Sequence, residues 1–117
     1  MHLTREELAN LIESIGTTLD LPTAYYQFND DTAQAPPFLV WFISRNADVF
    51  ADDENYVDKE TLNLELYTSI RDFDLEAALE AELKKANVTY YKEANFVDDE
   101  KIWQIAYESE VIINGNE

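Results

Sequence analysis

The sequence predicts an α+β fold: a single small domain over residues 1–117, with an antiparallel or mixed sheet of about five strands and two helices packed on one face. Three observations carry this. Two segments, 5–15 and 75–86, repeat apolar residues at helical spacing. Five others alternate, or run apolar, over strand-like lengths. One helical segment opens the chain and the other divides the strands three and two, so the regular alternation of a parallel βαβ fold is missing.

The first helix is announced by Thr4-Arg5-Glu6-Glu7, a capping box in which Thr4 caps and Glu7 reaches back. Leu8, Leu11, Ile12 and Ile15 follow as its apolar stripe, and Gly16 is the expected stop. Residues 24–28 read as a strand and 29–37 as an acidic, proline-ended loop. Residues 38–44 run apolar with almost no alternation, which predicts a central strand covered on both faces. A long acidic loop, 45–59, leads to the clean alternation of Leu62, Leu64 and Leu66 against Asn63, Glu65 and Tyr67.

Asp72 or Asp74 is placed to cap the second helix. Its stripe is Leu75, Leu79 and Leu83, with Glu76, Glu80 and Glu82 outside it. Glu80 and Lys84 have the spacing and polarity of a helical ion pair, and Lys84-Lys85 complements the dipole at the helix end. Residues 88–92 are a short expected strand and 93–100 a turn region. Residues 101–113 form the last strand, with Trp103, Ile105, Tyr107 and Val111 on one face. Residues 114–117 are a polar tail.

The chemistry is bounded mostly by what the chain lacks. His2, beside the initiator methionine, is the only histidine, and a frayed terminus seldom holds a catalytic base. Without cysteine there is no disulfide, thiolate metal site or thiol nucleophile. Two glycines, neither between a strand and a helix, exclude a phosphate-binding loop. The expectation is a protein that is not an enzyme and carries no cofactor. The carboxylates of 51–60 could bind calcium weakly, but they lack the glycine of an EF-hand loop. Solvated surface charge is the plainer explanation, and no metal site is assigned.

Twenty-five acids against eight bases give a formal charge of −17, which repels nucleic acid and anionic lipid at long range. The bases are scattered, so there is no DNA-binding footprint. The start of the chain has no apolar signal run and no apolar stretch is long enough to span a bilayer, so the expected location is the cytoplasm of a host cell, with no membrane partner. Aromatics make up 13% of the chain, more than so small a domain can bury. Tyr25, Trp41, Tyr67 and Tyr90 are therefore candidates for a protein interface, a setting in which Trp and Tyr are enriched. Asp52, Asp53, Glu54 and Tyr56 join them as acidic-loop candidates for contact with a partner.

Several stretches carry a resemblance. They are Tyr26-Gln27-Phe28, the run from Ala35-Pro36-Pro37 through Phe38-Leu39-Val40-Trp41-Phe42, and Phe50-Ala51-Asp52-Asp53-Glu54-Asn55-Tyr56. Leu64-Glu65-Leu66-Tyr67-Thr68, Arg71-Asp72-Phe73-Asp74-Leu75-Glu76 and Tyr91-Lys92-Glu93-Ala94-Asn95-Phe96-Val97 continue it. Over 26–107 the chain resembles small tail-terminator and tail-completion proteins, which join head to tail in long-tailed phages and prophages of Gram-positive hosts. The resemblance implies a virion morphogenesis protein of α+β fold. Such a protein assembles as a ring, commonly a hexamer, with tail-tube and head-completion proteins as partners. It implies no catalytic residue. A different reading of the same acidity is an inhibitor that mimics DNA and blocks a basic DNA-binding protein. That would require carboxylates in rows spaced like a phosphate backbone.

Overall fold

The computed structural model of the chain describes residues 2–28, 34–45 and 58–113. The order is β1 (His2–Leu3), α1 (Arg5–Leu19), β2 (Thr23–Tyr25), β3 (Phe38–Arg45), β4 (Asp58–Thr68), α2 (Phe73–Lys85), β5 (Tyr91–Val97) and β6 (Ile102–Ile113). The sheet is mixed, in the order β1-β6-β4-β3-β2, with β5 pairing alongside β6. The pairs β3–β4, β4–β6 and β5–β6 are antiparallel; β2–β3 and β1–β6 are parallel. β5 and β1 share one flank of β6, β5 beside Ile102–Glu108 and β1 beside Ile112 and Ile113.

The α+β class and the helices on one face are as the sequence predicts. The register shows why. Pairing Leu39 with Leu66, Trp41 with Leu64, Leu64 with Tyr107 and Leu66 with Ile105 puts all of these side chains on one face. Leu8, Ile12 and Ile15 of α1 and Leu79 and Leu83 of α2 close over them to form the core. Burying each such side chain stabilises the fold by roughly 1.5–3 kcal/mol.

Several boundaries move. The capping box at Thr4 forms, with Glu7 N–H donating to Thr4 Oγ1 at 3.0 Å and Thr4 N–H to Glu7 Oε1 at 2.9 Å. Gly16, however, does not end α1. The helix runs on to Leu19, and Asp20 caps it in the left-handed region at φ 57°. Gly16 is needed for packing instead: a Cβ there would lie 2.1 Å from Thr23 Oγ1. β2 stops at Tyr25 because Tyr26 turns out of strand geometry at φ 72°. Asp72 caps α2, accepting from Leu75 N–H at 3.0 Å.

The fourth and fifth expected strands are also redrawn. Asn87, at φ 61°, ends the helix turn, and Val88–Tyr90 cross the helix end without pairing. The strand is β5, covering most of what reads in sequence as a turn region. The acidic run Asp98-Asp99-Glu100 is the tip of a hairpin, closed by Lys101 at φ 57°. β1 was not expected at all: the backbone of His2 is tied to Ile112, so the start of the chain is not frayed there. β3 lies inside the sheet, but helices cover only one of its faces.

Candidate interaction surfaces

Three regions at the surface or at the margin of the core have structured chemistry. The first is the helix-free face of the sheet. Phe38, Val40 and Phe42 point to it from β3, Tyr67 from β4 and Ile102 from β6, because each is out of phase with the core residues. Phe38 stacks on Tyr67 with centroids 5.1 Å apart, Phe28 meets Phe38 edge-on at 5.3 Å, and Tyr26 meets Phe42 at 5.6 Å. A polar chain continues across the strands. Tyr67 O–H donates to Glu65 Oε1 at 2.8 Å and accepts from Gln104 Nε2 at 2.9 Å, and Asn95 Nδ2 reaches Gln104 Oε1 at 3.5 Å. Burial, then the Glu65 carboxylate, push the Tyr67 phenol up to about 12. This face explains the missing alternation in 38–44: its second set of apolar residues builds a surface aromatic cluster, not a second core.

The second region is an apolar groove of about 370 Å³ between the start of α1 and β2–β3, lined by Arg5, Leu8, Ala9, Tyr25, Trp41 and Ile43. Tyr25 stands edge-on to Trp41 at 4.7 Å, and its hydroxyl accepts from Ile43 N–H at 3.4 Å. The Trp41 indole N–H is buried without a hydrogen-bond partner.

The third is a charged network joining α2, β5 and β6. Glu76 is 1% exposed. Its carboxylate accepts from Arg71 Nε at 2.6 Å and Nη2 at 3.1 Å, and meets Lys92 Nζ at 2.9 Å. Lys92 also reaches Glu80 at 2.6 Å, and Tyr107 O–H donates to Glu80 at 2.7 Å. The Arg71 hydrogen bonds, joined by Lys92, outweigh burial and hold the Glu76 carboxyl below the usual range. Burial followed by Glu80 raises the Tyr107 phenol. Arg71 also lies over the rings of Phe73 and Trp103.

The four described interface candidates are dispersed. Tyr25, 53% exposed, and Trp41, 6% exposed, share the groove. Tyr67 belongs to the helix-free face, and Tyr90 packs edge-on against Tyr107 at 5.1 Å. Asp52, Asp53, Glu54 and Tyr56, and with them most of the acidic loop weighed for calcium, lie outside the described residues. Among the described residues no cluster of metal-ligating side chains occurs, and no helix is long and apolar enough to cross a membrane.

The sequence reading missed Glu76 and Lys92. A signal was present for Glu76: it stands three and seven residues before Leu79 and Leu83, on the buried side of the stripe. Nothing local marks Lys92, whose partners sit on another element. Glu80, expected to pair along the helix with Lys84, instead turns to Lys92 and Tyr107.

Comparison with protein-family models finds none that matches the chain, and no curated protein matches it. Among solved structures, a chain of the "Virion of native gene transfer agent (GTA) particle" is similar, with a TM-score of 0.58 at 9% sequence identity. The likeness covers 92% of this chain and 91% of that one. At that identity it is a likeness of fold.

Proposed function

We propose that the chain is a non-catalytic structural protein of a phage-like virion, one that caps or completes the tail tube and joins it to the head as a ring. The observation that carries this is the fold likeness, over nearly the whole of both chains, to a component of a gene transfer agent virion. The resemblance of 26–107 to tail-completion proteins points the same way and supplies the finer role. The protein assembles in the host cytoplasm and ends in the virion, with itself, the tail-tube protein and head-completion proteins as partners.

The charge suits a ring around a DNA channel. A negative wall keeps phosphates hydrated and DNA passing, although its field is screened beyond about 8 Å at physiological salt. The same charge opposes assembly: six copies at −17 carry about −100. Ring closure therefore grows with ionic strength or with a tail-tube surface to nucleate it, through two different patches on each copy. The DNA-mimic alternative needs rows of carboxylates over one face. On the described helix-free face, Ala106 separates Glu65 from Glu93, and Asn63 and Tyr91 flank Glu108, which leaves Glu108 and Glu110 as one adjacent pair and not a row across the strands.

The test is sedimentation across a salt series, with and without tail-tube protein, followed by electron microscopy of the mixture. Ring-sized particles at tube ends are expected. Absence of any species of ring size throughout would refute the proposal, and recovery of a nuclease or repressor from host extract instead would favour the mimic.

A further inference from the structure

The outer edge of β5 is the feature least like a finished surface. An edge strand is normally blunted by proline, a bulge, shortness or outward charge. β5 is neither short nor interrupted, and its only outward charge is Glu93, on the helix-free face. Its seven residues pair one-to-one with β6 from Tyr91–Glu108 to Val97–Ile102, with no bulge and no proline. Its one cation, Lys92, is engaged by Glu76 and Glu80 of α2, with its side chain still 32% exposed. Tyr91 is left 86% exposed, with Ala94 and Phe96 also exposed. Among the described residues no strand lies beyond it. β2, at the other side of the sheet, has only three residues and is ended by the turn at Tyr26.

The geometry points to a second copy of this chain as the occupant, paired antiparallel through β5 about a two-fold axis at Ala94. That register keeps like charges from facing each other directly, and it is the one that brings the hairpin tip to the groove described below. Centred on Ala94, the strand sets Glu93 against Asn95, Lys92 against Phe96 and Tyr91 against Val97 of the other copy, so no two like charges face each other. The register also carries the hairpin tip of each copy, Asp98-Asp99-Glu100, toward Val88–Tyr90 of its partner copy. There a groove of about 690 Å³ is lined by Ala77, Ala81, Lys84, Val88 and Tyr90, and Lys84 is exposed. In a chain with so few bases, an acidic tip delivered to an exposed lysine twice over is specific charge complementarity. The groove is continuous with the edge, since it also contains Glu80, which holds Lys92. This contact closes on itself after two copies, so it goes beyond the proposed ring and stands or falls separately from it.

The experiment uses the isolated full chain without tail-tube protein. Its freedom from cysteine makes a cross-link unambiguous. Directly opposed residues of antiparallel strands have Cα atoms about 4.5–5.5 Å apart, within disulfide range. Ala94→Cys should therefore become a covalent dimer under a mild oxidant, while Thr18→Cys, on the exposed side of α1, stays monomeric. The unsubstituted protein should sediment at twice the mass of one chain, and Lys84→Glu should lose that dimer with its circular dichroism intact. The inference is overturned if the unsubstituted protein sediments as one chain and Ala94→Cys cross-links no faster than Thr18→Cys. It is equally overturned if the amides of β5 become protected from exchange only when tail-tube protein is added, which would assign the edge to a strand of that partner.

Discussion

The two faces of the sheet are made by the same strands and have opposite characters. On the helix face, Leu39, Leu62, Leu64, Leu66 and Ile105 are essentially inaccessible, and the most deeply buried charge, Glu76, is tied into a network with Arg71 and Lys92. On the other face no helix intervenes. Aromatic rings pack edge-on and stacked at the surface beside a chain of single hydrogen bonds. Stability is concentrated on the first face, which has little tolerance for substitution; the second can change its surface at small cost to the fold.

Substitutions can break that contrast. The largest effect is expected from Glu76→Ala, which leaves Arg71 and Lys92 facing an emptied buried site; urea denaturation should show a loss of about 3–5 kcal/mol. The network also has a pH signature. The Glu76 carboxyl is held below its unfolded value. Its contribution is therefore fully present above the ordinary carboxyl range and is lost as pH falls through the depressed folded value. Acid titration of stability should lose this component in Glu76→Gln.

Leu66→Ala follows, deleting a fully buried side chain at the centre of the core, with an expected cost of about 2–5 kcal/mol by the same measurement. Tyr67→Phe, on the helix-free face, should cost only about 0.5–1.5 kcal/mol, the net worth of a hydrogen bond. Equal losses from Leu66→Ala and Tyr67→Phe would erase the distinction between the faces. Tyr67 sharpens it further by ultraviolet titration. Its folded value is raised from 10.0 to about 12, so its contribution is complete below the ordinary phenol range and is lost as pH rises through the raised value. Tyr67 and Tyr107 should ionise above the ordinary phenol range, and the Tyr67→Phe spectrum should lack one such late step.

Legibility in the sequence followed the range of the interaction. The Thr4 box and the Asp72 cap involve neighbours three residues apart, and both are readable. The alternation in β4 and β6 is readable because one face of each is apolar. β5 was not, because neither face is buried enough to leave a pattern: Glu93, Ala94 and Asn95 look like a turn until β6 lies beside them. Gly16 reads as a helix stop, yet the reason for a glycine is Thr23, brought against it by the returning chain. Among the interface candidates, nothing local distinguishes Trp41, in the core, from Tyr67, on the open face, since both are aromatic strand residues.

Acidity, the scarcity of histidine, cysteine and glycine, the helix caps and the core stripes are all legible before folding, because each is a property of composition or of short-range periodicity. The rest depends on how the folded elements meet. Folding left one sheet face uncovered, paired Lys92 with two glutamates of α2, and set β5 as a regular strand at the edge. These depend on elements distant in the chain meeting in one register, and the free energy of such contacts has no counterpart in the local pattern.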